Sequence, residues 1–236
     1  AALCSMSLNN TALCTTGTYN QVMQAEAPRQ LLKEQRAAGV MQRGMLPAAP
    51  AEFAGFTLNY ELYATGDLSG DFVDFVPLPD RRIAFLVADV AGHGTSAALV
   101  TVALKSFVCR LAEQAMQTAS SLLIRLNSEL LAVNLDRHVC ALMGVIDLDT
   151  NCVSVASAGA FPQPFLSASN SADSSKAISV EVSGKALGLF DIPEYIENTM
   201  TFAVGDRLTV VTDGILEWLS GPNLGAQEEQ LAKAAA

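Results

Sequence analysis

Apolar positions recur along this chain in two rhythms, and the changes of rhythm divide it. In residues 28–46, Leu31, Leu32, Gln35, Ala38, Val40, Met41 and Met45 return at roughly helical spacing. Pro28 sits where a first-turn proline is tolerated, and Pro47 and Pro50 end that helix. Short runs rich in β-branched and aromatic residues follow at 56–63, 72–78 and 83–90, separated by Gly, Asp and Pro. Two helical stretches come next, from Thr95 to about Met116 and from Ser120 to about Asn134. Strand-like runs then resume at 139–148, 152–157, 163–166, 178–182, 198–204 and 207–212. Strands grouped before and after a helix pair predict an α+β layered domain with mostly antiparallel pairing. Residues 169–176 read as a loop, and residues 227–236 as a weak helix or tail.

The pattern gives an organisation in three parts. Residues 1–27 carry no charge as far as residue 25 and show no periodicity, so they read as a linker. Residues 28–46 form an amphipathic helix, and residues 47–236 the folded domain. The helix suits either a surface element packed on its own domain or a dimerisation and switch helix coupled to an upstream sensor. Because the chain begins at Ala1, a longer parent protein is expected.

Charge narrows the choice of partner. Lys and Arg number 14 against 24 Asp and Glu, a net charge of −10, which argues against nucleic acid or an anionic membrane. Half the residues are hydrophobic and 16% are charged, so a disordered chain is excluded. The longest apolar stretch, residues 83–104, is broken by Asp89 and His93 and does not read as a membrane span. Cys4, Cys14, Cys109, Cys140 and Cys152 are odd in number and widely spaced, matching neither a disulfide framework nor a zinc site. A reducing, cytoplasmic setting is expected.

Three acidic residues share a context. Asp71 heads a strand in Leu-Ser-Gly-Asp-Phe-Val-Asp-Phe, Asp89 ends an apolar strand before Val-Ala-Gly-His-Gly, and Asp213 ends Leu-Thr-Val-Val-Thr-Asp-Gly. Carboxylates at strand ends beside glycine can be aimed at one cleft, where hard Mg²⁺ or Mn²⁺ takes oxygen ligands. Each alone also fits a turn or a backbone cap. His93, between glycines at a strand-to-helix turn, could donate a proton to a leaving group or a metal-bound water. It also fits a histidine simply tolerated in a Gly-rich turn. His138 reads as structural or solvated. Residues 92–97 match G-x-G-x-x-A, but a second helix follows where a dinucleotide fold needs a strand. A serine nucleophile elbow, G-x-S-x-G, is absent.

These residues carry a family resemblance running from about Leu32 to Glu217. Gln42-Arg43-Gly44-Met45-Leu46-Pro47, Ser69-Gly70-Asp71-Phe72-Val73-Asp74 and Asp89-Val90-Ala91-Gly92-His93-Gly94 with Ala97-Ala98-Leu99 come first. Ser157-Ala158-Gly159, Leu187-Gly188-Leu189, Gly205-Asp206 and Thr212-Asp213-Gly214-Ile215-Leu216-Glu217 follow in order. Together they resemble the bacterial PPM-type (type 2C) serine/threonine phosphatases of the SpoIIE/RsbU-like group, which control sigma factors. The resemblance implies an αββα sandwich of two mostly antiparallel sheets flanked by helices. It also implies two divalent ions, Mn²⁺ or Mg²⁺, at one end. Asp89 would bridge both, Val90 would offer its carbonyl, Asp71 would serve the second ion and Asp213 the first. A water between the ions would attack phosphorus in line. Asp74 matches a family position without an assigned role.

The implied protein is the output module of a stress-response regulator. It would dephosphorylate an anti-sigma-factor antagonist, respond to an upstream receiver or sensor domain, and dimerise through the 28–46 helix. Two departures stand out. Ala160 occupies a position where the family usually has histidine. The family's closing Asp-Asp-x-Thr motif, whose Asp binds the first metal, has no counterpart after Asp213, which implies a shortened chain or a weakened site and a lost edge strand. The rival reading is a degenerate phosphatase-fold adaptor, as in regulators resembling RssB.

Overall fold

The apolar run at the centre of the sequence becomes an interior strand because it has cover on both faces. In the computed structural model, residues 29–64, 66–112, 118–134, 136–169, 177–221 and 223–236 are described. The 1–27 linker, the first-turn Pro28, the helix end near Met116 and most of the 169–176 loop lie outside them. Strand β3 (Asp71–Leu78) pairs with β4 (Arg82–Val90), and β4 with β5 (Val139–Asp147). The sheet continues through β6 (Cys152–Ala158), β10 (Tyr195–Thr201) and β9 (Ser183–Gly184), giving the order β3-β4-β5-β6-β10-β9. A second sheet of β7 (Phe165–Ser167), β8 (Ile178–Ser179) and β11 (Arg207–Thr209) has the order β11-β7-β8. All these ladders are antiparallel.

Period-two alternation sends the two faces of the large sheet into different cores. Ala84, Leu86, Ala88 and Val90 of β4, with Ala141, Met143 and Val145 of β5, bury against helices α2 (Thr95–Ala112) and α3 (Ala119–Val133). Those helices contribute Val100, Leu104, Phe107 and Leu111, and Leu122, Leu123, Leu126 and Leu130. The other face presents Ile83, Phe85, Leu142 and Ile146, which meet Leu166 and Leu208 from the small sheet. Gly144 has no Cβ because the Phe85 ring occupies that space. On the outer side of the small sheet, Phe165 packs on Leu231, Ala232 and Ala235 at helix α4 (Leu224–Ala234). The layers are therefore helix, sheet, sheet, helix, as the sequence predicts.

Several boundaries differ for physical reasons. The predicted 56–63 strand shrinks to β2 (Phe56–Leu58), which pairs only with β1 (Ala51–Phe53) as a hairpin turned at Ala54 and Gly55, both at positive φ. The predicted 178–182 strand shrinks to β8, which joins the small sheet, and a separate short strand, β9, follows it and joins the large one. The predicted 207–212 strand stops at Thr209. The strand expected at 198–204 is Tyr195–Thr201, because Asp206 accepts from Ala203 N–H and turns the chain. The weak 227–236 helix is a true helix from Leu224, capped by Asn223 accepting from Ala226 N–H.

Helix α1, described over residues 29–44, turns an unexpected face to the domain. Gly39 and Gln42 are buried, whereas Leu31, Leu32, Val40 and Met41 are exposed. Gly39 approaches the Asp67 carbonyl so closely that a Cβ would collide with it. The apolar stripe of this helix thus faces solvent.

One ion pair crosses from sheet to helix layer. Asp74, fully buried on the helix-facing side of β3, accepts from Lys105 Nζ of α2 at 2.7 Å and from Phe75 N–H at 3.0 Å. Its other oxygen, Oδ2, has no hydrogen-bond partner among the described residues. Burial pushes its carboxyl above the ordinary value, and the Lys105 ammonium pulls it back. Lys105→Met leaves that carboxylate unpaired and should destabilise the domain by about 3 kcal/mol, the cost of breaking a buried pair. Chemical denaturation checks this, and adding Asp74→Asn should recover most of the loss.

Candidate metal centre

The ladder between β3 and β4 places Asp71 directly opposite Asp89. Both lie on the face turned to the small sheet, and Cys140 of β5 stands opposite Asp89 on the same face. Like charges directly opposite in an antiparallel pair repel. The third carboxylate reaches the same end from the other sheet. After β11 the chain runs through Val210–Thr212, and Asp213 opens a short 3-10 helix, Asp213–Trp218. Asp213 was expected at a strand end; it sits instead at a helix start and is exposed.

The electrostatics record the convergence. Burial pushes the Asp89 carboxyl up to about 6, and the charges of Asp71 and Asp213 add to that. The Asp71 carboxyl is raised by burial and by Asp213, against a hydrogen bond from Thr212 that lowers it. Burial, then Asp89 and Asp213, raise the Cys140 thiol. Among the described residues no ion pair reaches Asp71, Asp89 or Asp213.

The backbone around these carboxylates is an oxygen cradle. The point a Cβ on Gly70 would occupy lies 2.9 Å from the Val90 carbonyl oxygen, 3.3 Å from that of Gly92 and 3.5 Å from Asp89 Oδ1. Main-chain carbonyls and carboxylates with no cationic side chain among them suit a hard divalent ion. The donor set therefore fits the implied metals. The side chains are not closed onto one point, since among the described residues no group of three His, Cys, Asp or Glu stands ready to hold an ion.

Supporting contacts come from residues whose part the sequence pattern did not indicate. Asp71 N–H donates to Ser69 Oγ at 3.0 Å. Ser69 is gripped by buried Gln42 of α1, which donates to the Ser69 carbonyl at 2.8 Å and accepts from its N–H at 3.0 Å. Gln42 also donates to Thr101 Oγ1 of α2 at 2.8 Å. The signal for Gln42 was its place beside Ala38 and Gly39, on the small-residue face of the helix. His93 lies exposed in the turn between β4 and α2, and no hydrogen bond or ion pair fixes its ring among the described residues. Asp74 points into the opposite core. A cleft between the sheets is walled by Asp89, Cys140, Ala160, Phe161, Thr212 and Asp213.

Two face-to-face antiparallel sheets, helices outside and carboxylates converging at one end define the architecture of PP2C-type phosphatase domains. The SiaA-PP2C domain of Pseudomonas aeruginosa superimposes with a TM-score of 0.65 at 21% identity, over 84% of this chain and 77% of that one. The RsbU and RsbW domains of a Mycobacterium tuberculosis protein give 0.60 at 25% identity, over 73% and 46%. In sequence, the chain is 26% identical over 158 residues to the phosphoserine phosphatase RsbP of Bacillus subtilis, covering 65% of this chain and 38% of RsbP. Residues 79–236 match the family described as Stage II sporulation protein E (SpoIIE). The chain belongs to the SpoIIE family of protein phosphatase domains. It spans less than half the length of RsbP and of the M. tuberculosis structure. No helix among the described residues is long and apolar enough to cross a membrane.

Because the folded-state Asp89 carboxyl titrates near 6, above the ordinary value of 3.8, its stabilising protonation is complete below about pH 4. That contribution is lost as pH rises through 6. The metal-free protein should therefore melt at a lower temperature at pH 8 than at pH 5, and Asp89→Asn should shrink that difference. Scanning calorimetry of both proteins in chelator decides it.

Proposed function

We propose that this domain hydrolyses phosphoserine or phosphothreonine on a partner protein, using two divalent ions, Mn²⁺ or Mg²⁺. The observation that carries the reading is the meeting of Asp71, Asp89 and Asp213 at one end of the inter-sheet cleft, where burial and the charges of Asp71 and Asp213 raise the proton affinity of Asp89. Asp89, influenced by both neighbours, would be the central ligand, with Asp71, Asp213 and the Val90 carbonyl as the other groups that would hold the ions. Ions held there would supply a nucleophilic water at neutral pH and stabilise charge on the phosphoryl oxygens.

The remaining roles belong to the chain's own groups. Thr212 donates to the Asp71 carboxylate, and Ser69 holds the Asp71 backbone by accepting from its N–H. The cleft wall at Ala160 and Phe161 limits water beside the reacting group. His93, exposed in the turn that follows Asp89, is the group assigned to protonate the departing serine oxygen. An acidic protein accepts an anionic phosphoserine because the ions invert the local field.

The relative RsbP carries the name phosphoserine phosphatase, which supports this substrate class. The finer reading is an anti-sigma-factor antagonist as substrate, in the cytoplasm, with residues 47–236 as catalytic domain and 28–46 as a switch helix below a receiver or sensor. Exposed Leu31, Leu32, Val40 and Met41 favour a homodimer through that helix. Gln42 then links helix position to Ser69 and so to Asp71.

With Mn²⁺ and a phosphoserine protein, turnover should be measurable by phosphate release. Asp89→Asn should lower it by more than the ~100-fold typical of losing an outer ligand partner. Mn²⁺ binding without turnover would favour a binding-competent but inactive domain, and no Mn²⁺ binding the adaptor reading. Met41→Glu should convert dimer to monomer in sedimentation velocity, and an unchanged state removes the helix interface.

A further inference from the structure

The strand-to-helix turn after Asp89 must aim a main-chain carbonyl, and glycine-rich turns do not hold their own peptide planes. In this chain the turn is gripped from outside. Ala91 N–H donates to the His138 carbonyl at 3.0 Å, and the Ala91 carbonyl accepts from Arg137 Nη1 at 2.9 Å. Arg137 Nη2 reaches on to Ser96 Oγ at 2.9 Å, in the first turn of α2. Both polar groups of Ala91 are thus bound by two consecutive residues of the segment leading into β5.

The consequence follows from peptide geometry. In a trans peptide the carbonyl of Val90 and the N–H of Ala91 lie in one plane and point opposite ways. Fixing Ala91 N–H on His138 therefore directs the Val90 oxygen away from residue 138 and towards the cradle beside Gly70. The next peptide is fixed by Arg137. That peptide joins Ala91 to Gly92; the Gly92 oxygen, one peptide further on, lines the same cradle, and Gly92 adopts φ +90°, a conformation from which an unrestrained glycine rotates easily. The guanidinium fits only because Gly92 lacks a side chain, since a Cβ there would collide with Arg137 Nη1.

We infer that Arg137 is a positioning residue for the metal centre: its fork on the Ala91 carbonyl and Ser96 hydroxyl locks the Ala91–Gly92 peptide that stands between the two cradle carbonyls, those of Val90 and Gly92. This rests on the metal reading proposed above. The role needs a fork. A lysine ammonium keeps the charge but cannot hold both acceptors in one plane. A general need for positive charge would be satisfied by Arg137→Lys, whereas a clamp would not.

The test uses the full chain and calorimetric titration with Mn²⁺ alone. Arg137→Lys should bind Mn²⁺ at least ~10-fold more weakly, the lower range for losing an outer partner of a ligand. The metal-free melting temperature should change little. Ser96→Ala, which removes one tine of the fork, should give a smaller loss in the same direction. Arg110→Lys, whose arginine pairs with Glu129 elsewhere on α2, should bind like wild type. In phosphatase assays, Arg137→Lys should recover wild-type turnover as Mn²⁺ is raised, with the phosphoprotein KM unmoved. Equal Mn²⁺ affinity in wild type, Arg137→Lys and Arg137→Ala overturns the inference while leaving the metal centre intact. Absence of binding by wild type overturns the metal centre itself, and this inference with it.

Discussion

Two carboxylates facing each other across one rung of an antiparallel ladder are unfavourable, and much of this structure is arranged around that pair. Asp71 and Asp89 meet because β3 and β4 are in register over their whole length. A slip of one residue would turn Asp71 into the helix-facing core and Asp74 into the cleft. The buried Asp74–Lys105 pair opposes such a slip, since it is made only when Asp74 faces α2. This matters because β3 is an edge strand with a single neighbour to set its register. The repulsion that burial and Asp213 intensify at Asp89 is the same property that, in the proposed function, would give a divalent ion its affinity.

Around that pair, the two sheets, helix α1 and the segment entering β5 each contribute a restraint. The large sheet supplies Asp71, Asp89 and the neighbouring Cys140. The segment leaving the small sheet supplies Thr212 and Asp213. Helix α1 reaches the Asp71 loop through Gln42 and Ser69, and the segment entering β5 reaches the β4–α2 turn through Arg137 and His138. The centre is consequently sensitive to elements lying on three sides of it. A shift of α1 would be felt at Ser69 before any change in the sheet, because Gln42 holds that residue at both its N–H and its carbonyl.

Much of the fold was legible in the chain because burial on one face or two leaves a periodic trace. The near-continuous apolar runs of β4 and β5 marked interior strands, and the Ala97–Leu111 and Leu122–Leu130 stripes marked covering helices. Strand ends were less legible. Nothing in residues 178–184 says that β8 and β9 belong to different sheets, since each pairs with a strand distant in sequence. For α1 the apolar stripe was legible, but whether it packs on the domain or faces outward was left open by the sequence. Small Gly39 and polar Gln42 pack inward, where a close backbone and a buried Ser69 needed them.

By itself the sequence determined which carboxylates are special, because short motifs of Gly and Asp at strand ends are local and survive without knowledge of the partner strand. It also determined the layered class, since hydrophobic period is a property of single elements. The tertiary structure decided the rest: that Asp71 stands opposite Asp89, that Asp213 reaches them from the other sheet, and that Asp74 serves the opposite core. It alone brought Gln42 and Arg137 to the centre, for a hydrogen bond between residues 27 or 46 positions apart leaves no mark on either one's neighbours.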